Sequence, residues 1–99
     1  MLEHPLKSME RIDPKLLKLV DETRQFALSD GALPKKFKLL IALALDASDN
    51  AVEGVKSLAQ AAMQAGATKE EIAETLRVAQ YIKGVGSIYT ASRALKELF

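Results

Sequence analysis

Asp46, Asp49 and Glu53 place three carboxylates within one short stretch, a spacing at which oxygen ligands for a hard cation or an acid–base pair can be assembled. No histidine accompanies them, and three acids at a helix boundary more commonly make a solvated turn, so no metal site and no cofactor are assigned. Glu53 is the candidate catalytic acid or base, because burial would raise its pKa into the range useful for proton transfer. A structural role competes with it: Asn50 followed three residues later by Glu53 has the spacing of a helix capping box. His4 is the single histidine. Beside Pro5 in the N-terminal segment, it reads as an exposed or partner-packing residue rather than a proton relay. Tyr81 and Tyr89 flank Gly84-Val85-Gly86 and can offer hydroxyls to a ligand, with amphipathic packing as the default. Lys35, Lys36 and Lys38 crowd a helix start, where they can attract an anion or simply be solvated.

The 99 residues contain no cysteine, which removes disulfides, thiolate metal sites and any resident thiol redox couple. Fourteen Lys and Arg against thirteen Asp and Glu leave a net charge of +1, with the basic residues scattered, so nucleic acid is not an expected partner. The longest apolar run, Leu39 to Leu45, is far short of the roughly 20 residues of a membrane-spanning helix. The first ten residues alternate in charge without the apolar stretch of a signal peptide, so a cytoplasmic location is expected.

The elements that must position these residues read as helices throughout. Residues 1–12 are expected to form a tail, and residues 13–99 a single all-α domain of about five helices. Asp13-Pro14 has the form of an N-cap followed by proline at the first helical position. From there a helix runs to about Leu28, with Leu16, Leu17, Val20, Thr23, Phe26 and Ala27 expected on its inner side. A second helix follows Pro34. Its stretch Leu39 to Leu45 is apolar around the whole circumference, more than one small domain can cover, so part of it is expected to meet another subunit. A third helix is expected from Asn50 to Ala65 with Val55, Leu58, Ala59, Ala62 and Met63 inward. Gly66 serves as its left-handed end. Thr68 with Glu71 makes a second capping box ahead of a helix burying Ile72, Thr75, Leu76, Ala79 and Ile82. Ser87 is expected to cap the last helix.

Three blocks, Lys36 to Ala44, Ala65 to Leu76 and Gly84-Val85-Gly86, agree in order and spacing with the carboxymuconolactone decarboxylase and alkylhydroperoxidase D-like family, which the chain resembles over roughly residues 31 to 98. The resemblance implies an all-α fold assembled into a trimer or hexamer. Thiol-active relatives carry Cys-x-x-Cys-x-x-x-His, with a glutamate on the preceding helix; the reactive cysteine, ionised near the helix start, attacks a peroxide. In this chain the cysteine positions hold Ala51 and Gly54, the histidine position Leu58 and the glutamate position Leu39.

Those replacements turn a polar site into a greasy one, and peroxidase activity of the peroxiredoxin type is expected to be absent. Two functions of different kinds follow. One is a redox-inactive module that binds a small apolar molecule or a partner through the pocket of Leu39, Ala51, Gly54 and Leu58. The alternative is a non-thiol enzyme of lactone decarboxylase or isomerase type, with Glu53 as acid or base. Lactone decarboxylases of the family, as the resemblance implies, use acid and base residues near this helix start. Glu53 matches an acidic position of that kind, whereas Leu58 does not match the histidine.

Overall fold

A computed structural model describes residues 6–99. They form six helices and no strand: α1 (Met9–Ile12), α2 (Pro14–Leu28), α3 (Lys35–Ser48), α4 (Val52–Gln64), α5 (Lys69–Lys83) and α6 (Gly86–Leu95). His4 lies outside the described residues. The sixth helix is α1, a single turn within the segment expected to be tail; the chain bends at Asp13, whose φ of −157° separates it from α2.

The boundaries follow local chemistry. The Asp13 carboxylate accepts from Leu16 N–H at 3.0 Å and Pro14 opens α2, as the sequence predicts. Thr68 and Glu71 form a complete capping box at the start of α5, with reciprocal bonds of 2.9 and 3.1 Å. Gly66 at φ +101° turns the chain out of α4 in a conformation that a side chain would strain. Two expected caps do not form. Asn50 is not the N-cap of α4, a position taken by Ala51 without a side-chain bond, because Asn50 itself adopts a left-handed φ of 61° and turns its amide elsewhere. Ser87 lies inside α6, its hydroxyl donating to Gly84 O at 2.8 Å.

α3 is the centre of the body, packed most extensively on α4 and then on α5 and α6. Leu43 and Val55 are fully buried, with Leu39 and Ile72 nearly so. Ala47, Ala59, Ala62, Ala79, Ala91 and Ala94 line the helix contacts, where small side chains let the helices approach closely. The body covers only one side of the all-round apolar stretch of α3: Leu39, Leu40 and Leu43 face inward, while Ile41 and Leu45 remain 50% and 62% exposed. Ile82, expected inside, is exposed, one residue before the end of α5.

The largest departure from expectation concerns α2. No residue of it is buried. Only Leu17, Asp21 and Leu28 are half-covered by the rest of the chain. The stripe of Leu16, Leu19, Val20, Thr23, Phe26 and Ala27 points away from the body. Periodicity identifies an apolar face but not its partner, and α2 touches the body mainly through α3.

Candidate functional site

The positions singled out by the sequence lie along the antiparallel hairpin of α3 and α4. At its closed end Ser48 Oγ donates to Ala44 O at 2.9 Å, Asp49 N–H donates to Leu45 O and Asp46 O, and Ala51 N–H donates to Asp46 O at 2.9 Å. This winding up of backbone bonds requires the left-handed Asn50. The Asn50 Oδ1 accepts from the hydroxyl of Thr90, a fully buried residue of α6, at 2.9 Å. The loop is thereby tied to α6, which packs on both α4 and α3.

Gly54 sits in the first turns of α4, and the space where a side chain would project is filled by Asp46. A Cβ built on Gly54 would overlap the Asp46 Oδ2 and stand 3.0 Å from its Cγ and 3.5 Å from the Ala51 Cβ. The glycine is therefore required for the close approach of this carboxylate, which explains its presence in a helix that it otherwise weakens. Partial burial, with Asp49 nearby as the lesser cause, pushes the Asp46 carboxyl above its ordinary pKa.

The four pocket candidates occupy one seam in different ways. Leu39 is buried in the core, and Leu58 is half-buried against it. Ala51 and Gly54 are half-buried at the Asp46 end. Glu53 is exposed in the first turn of α4 and makes no capping bond. Among the described residues no group of three or more His, Asp or Glu is placed to hold a metal ion.

Three surface concavities lie elsewhere. A groove of about 290 Å³ between α2 and α3 is lined by Ala27, Leu28, Lys38, Ile41, Ala42 and Leu45. A second, of about 210 Å³, lies among Arg24, Gln25, Leu28, Ser29 and Lys35. The third, of about 180 Å³, holds Tyr89 with Val85, Ile88 and Ser92. The lysines near α3 have partners: Lys36 pairs with Glu71 at 3.0 Å and lies 4.9 Å over the Phe37 ring, and Lys38 Nζ donates to Ser29 O at 2.7 Å. The Asp30 carboxylate accepts from Lys35 N–H at 2.6 Å, occupying the helix start an anion would have used. Tyr81 is 83% exposed and contributes to none of the three concavities.

Sequence reasoning missed two relationships here: Asp46 filling the space over Gly54, and Thr90 holding Asn50. The first was partly signalled by a glycine near a helix start with an acid just before the turn. The second joins positions forty apart and had no local signal.

The model of the carboxymuconolactone decarboxylase family matches residues 14–97. The crystal structure of the apo form of a carboxymuconolactone decarboxylase family protein from Legionella pneumophila is similar, with a TM-score of 0.86, 35% sequence identity, and coverage of 92% of this chain and 81% of that one. Among curated proteins none matches the sequence.

Proposed function

The chain belongs to the carboxymuconolactone decarboxylase family, and we propose that it is a redox-inactive member, a self-associating module that binds a small apolar molecule rather than reducing peroxides. One observation carries this reading. The chain has no cysteine, and at the helix start where the thiols of active relatives would stand, Gly54 is covered by the Asp46 carboxylate. An anion in that place would disfavour a thiolate even if a cysteine were restored there.

The open groove between α2 and α3 supports a binding role. Its walls are Ala27, Leu28, Ile41, Ala42 and Leu45, with Lys38 as the one charged group, and about 290 Å³ is the lower end of the range for small-ligand sites. Self-association is supported by Leu19, Phe26, Ile41 and Leu45, which leave a broad apolar surface open on α2 and α3.

The test is twofold. Purified protein supplied with peroxide and a dithiol should show no turnover above buffer, and measurable turnover would sink the redox-inactive reading. An apolar fluorescent dye should bind saturably. Ala42→Trp, which fills the groove, should abolish that binding while the helical content is retained; unchanged binding would refute the groove as the site.

A further inference from the structure

Lys38 is the one charged group lining the otherwise apolar groove between α2 and α3. Its Nζ donates to the carbonyl of Ser29, the C-cap of α2, at 2.7 Å. That partner is neutral, and among the described residues no carboxylate forms an ion pair with Lys38. Ser29 in turn lines the second concavity, with Arg24 and Lys35, and Leu28 is common to both. The two hollows thus meet at Leu28, one apolar with Lys38 at its edge and one carrying two further cations. The neighbouring acids are already engaged: Asp30 accepts from the Lys35 backbone N–H, Asp21 lies 3.9 Å from Arg24, and Glu71 is held by Thr68 and Lys36. From Lys38 the apolar wall continues through Ile41 and Ala42 to Leu45 on the same side of α3, a run of about 10 Å at the helical rise.

We propose that this groove takes a medium-chain fatty carboxylate, its alkyl chain laid along Ile41, Ala42 and Leu45 and its carboxylate bound by the Lys38 ammonium. The inference rests on the groove reading above and names its ligand class. Charge complementarity selects the headgroup. An ammonium carries three donors, one of them used on Ser29 O, so Lys38 can take a carboxylate oxygen without releasing the tie between α2 and α3. A bond in which both partners are ionised is stronger than one to a neutral carbonyl, and Lys38 is half-buried, which shields that contact from water. Arg24 and Lys35, across Leu28, add a positive field that draws an anion to this end of the groove. Volume and shape select the tail. About 290 Å³ is the low end for small-molecule sites, room for a single chain rather than a two-tailed lipid. Leu45 is 62% exposed, so the far end is open and a longer chain runs out into water rather than against a wall.

Calorimetric titration of the whole chain with octanoate, octan-1-ol and acetate separates head from tail. Octanoate should bind about tenfold more tightly than octan-1-ol, and acetate should not bind measurably. Affinity should rise from butanoate to octanoate and level off by dodecanoate, whose chain outruns Leu45. Lys38→Met keeps most of the side-chain stem and removes the charge; it should bring octanoate down to the level of octan-1-ol and leave octan-1-ol unchanged. Lys38→Arg should retain the preference for octanoate. Equal binding of octanoate and octan-1-ol by the parent protein would overturn the carboxylate while leaving the apolar groove standing. An octanoate preference that survives both Lys38→Met and Ala42→Trp would put the binding elsewhere and overturn the inference. Failure of octanoate, octan-1-ol and the apolar dye alike would overturn the groove reading along with it.

Discussion

The hydroxyl of Thr90 on α6 hydrogen-bonds the amide oxygen of Asn50, the left-handed residue between α3 and α4, at 2.9 Å. One contact between an exposed turn residue and a buried hydroxyl thus holds the turn that places Asp46 over Gly54. Thr90→Val removes the donor and leaves Asn50 Oδ1 without it, for an expected loss of about 1–2 kcal/mol in urea unfolding. Asn50→Ala should cost more, about 2–3 kcal/mol, because alanine also resists the positive φ. Asn50→Gly, free of that second penalty, should fall between Asn50→Ala and the parent. Equal losses for Ala and Gly would show that the backbone conformation contributes nothing.

At Gly54 two effects oppose each other. Alanine is the better helix former by about 1 kcal/mol, but its Cβ would overlap the Asp46 carboxylate. The overlapped atom is the free end of the Asp46 side chain, which can rotate towards solvent, so the two effects should nearly cancel and Gly54→Ala should change stability by less than about 1 kcal/mol. In an Asp46→Ala background the same change should become stabilising. A double-mutant cycle with no coupling between the two sites would refute the close approach.

Acid titration should separate two carboxylates by sign. The backbone N–H of Thr68, and then Lys36, hold Glu71 below its ordinary pKa, so its contribution is fully present above the unfolded value and is lost as pH falls through the lower folded one. Asp46 is displaced upward, so its charge costs stability at neutral pH, and that cost fades as pH falls through the raised folded value and is gone below the unfolded one. Asp46→Asn should therefore gain stability at pH 7 and converge with the parent in acid. Glu71→Gln should lose stability at pH 7 and converge likewise. The opposite order for either variant would contradict the assigned cause.

Glu53→Gln is expected to change stability by less than about 0.5 kcal/mol, since the side chain is exposed and caps nothing. Restoring Leu39→Glu, Ala51→Cys, Gly54→Cys and Leu58→His together should give at most weak peroxide turnover, because any Cβ at position 54 must displace Asp46. Vigorous turnover by that variant would show that the Asp46 approach is no obstacle.

What the sequence made legible was local. Asp13-Pro14, Thr68 with Glu71 and Gly66 fixed helix boundaries because each cap is a contact over three or four residues. The inward positions of α4 were readable because α3, its neighbour in sequence, supplies the partner in space. Asn50 and Glu53 show where this fails: the cap spacing was present, but Thr90, forty residues later, competes for the Asn50 amide and wins. The stripe of Leu16, Thr23 and Phe26 was recognised as apolar, yet a periodicity carries no information about whether its complement lies in the same molecule. The candidate pocket was mapped by position alone, and volume is decided by side chains such as Asp46 that arrive from the facing helix.

The loose seating of α2 bears on how this chain responds to its own abundance. Helices α3 to α6 form the packed body, with α4 on α6 and α5 on α3 joining elements that are not consecutive in the chain. The α2 arm contributes little to that body and has few buried contacts to protect its amides. Its backbone hydrogens should exchange quickly in dilute solution and slow as protein concentration rises, while those of α3 and α4 should be indifferent to dilution. If the chain self-associates as proposed, the arm would act as a gauge of chain number, ordered when copies are plentiful and frayed when they are scarce.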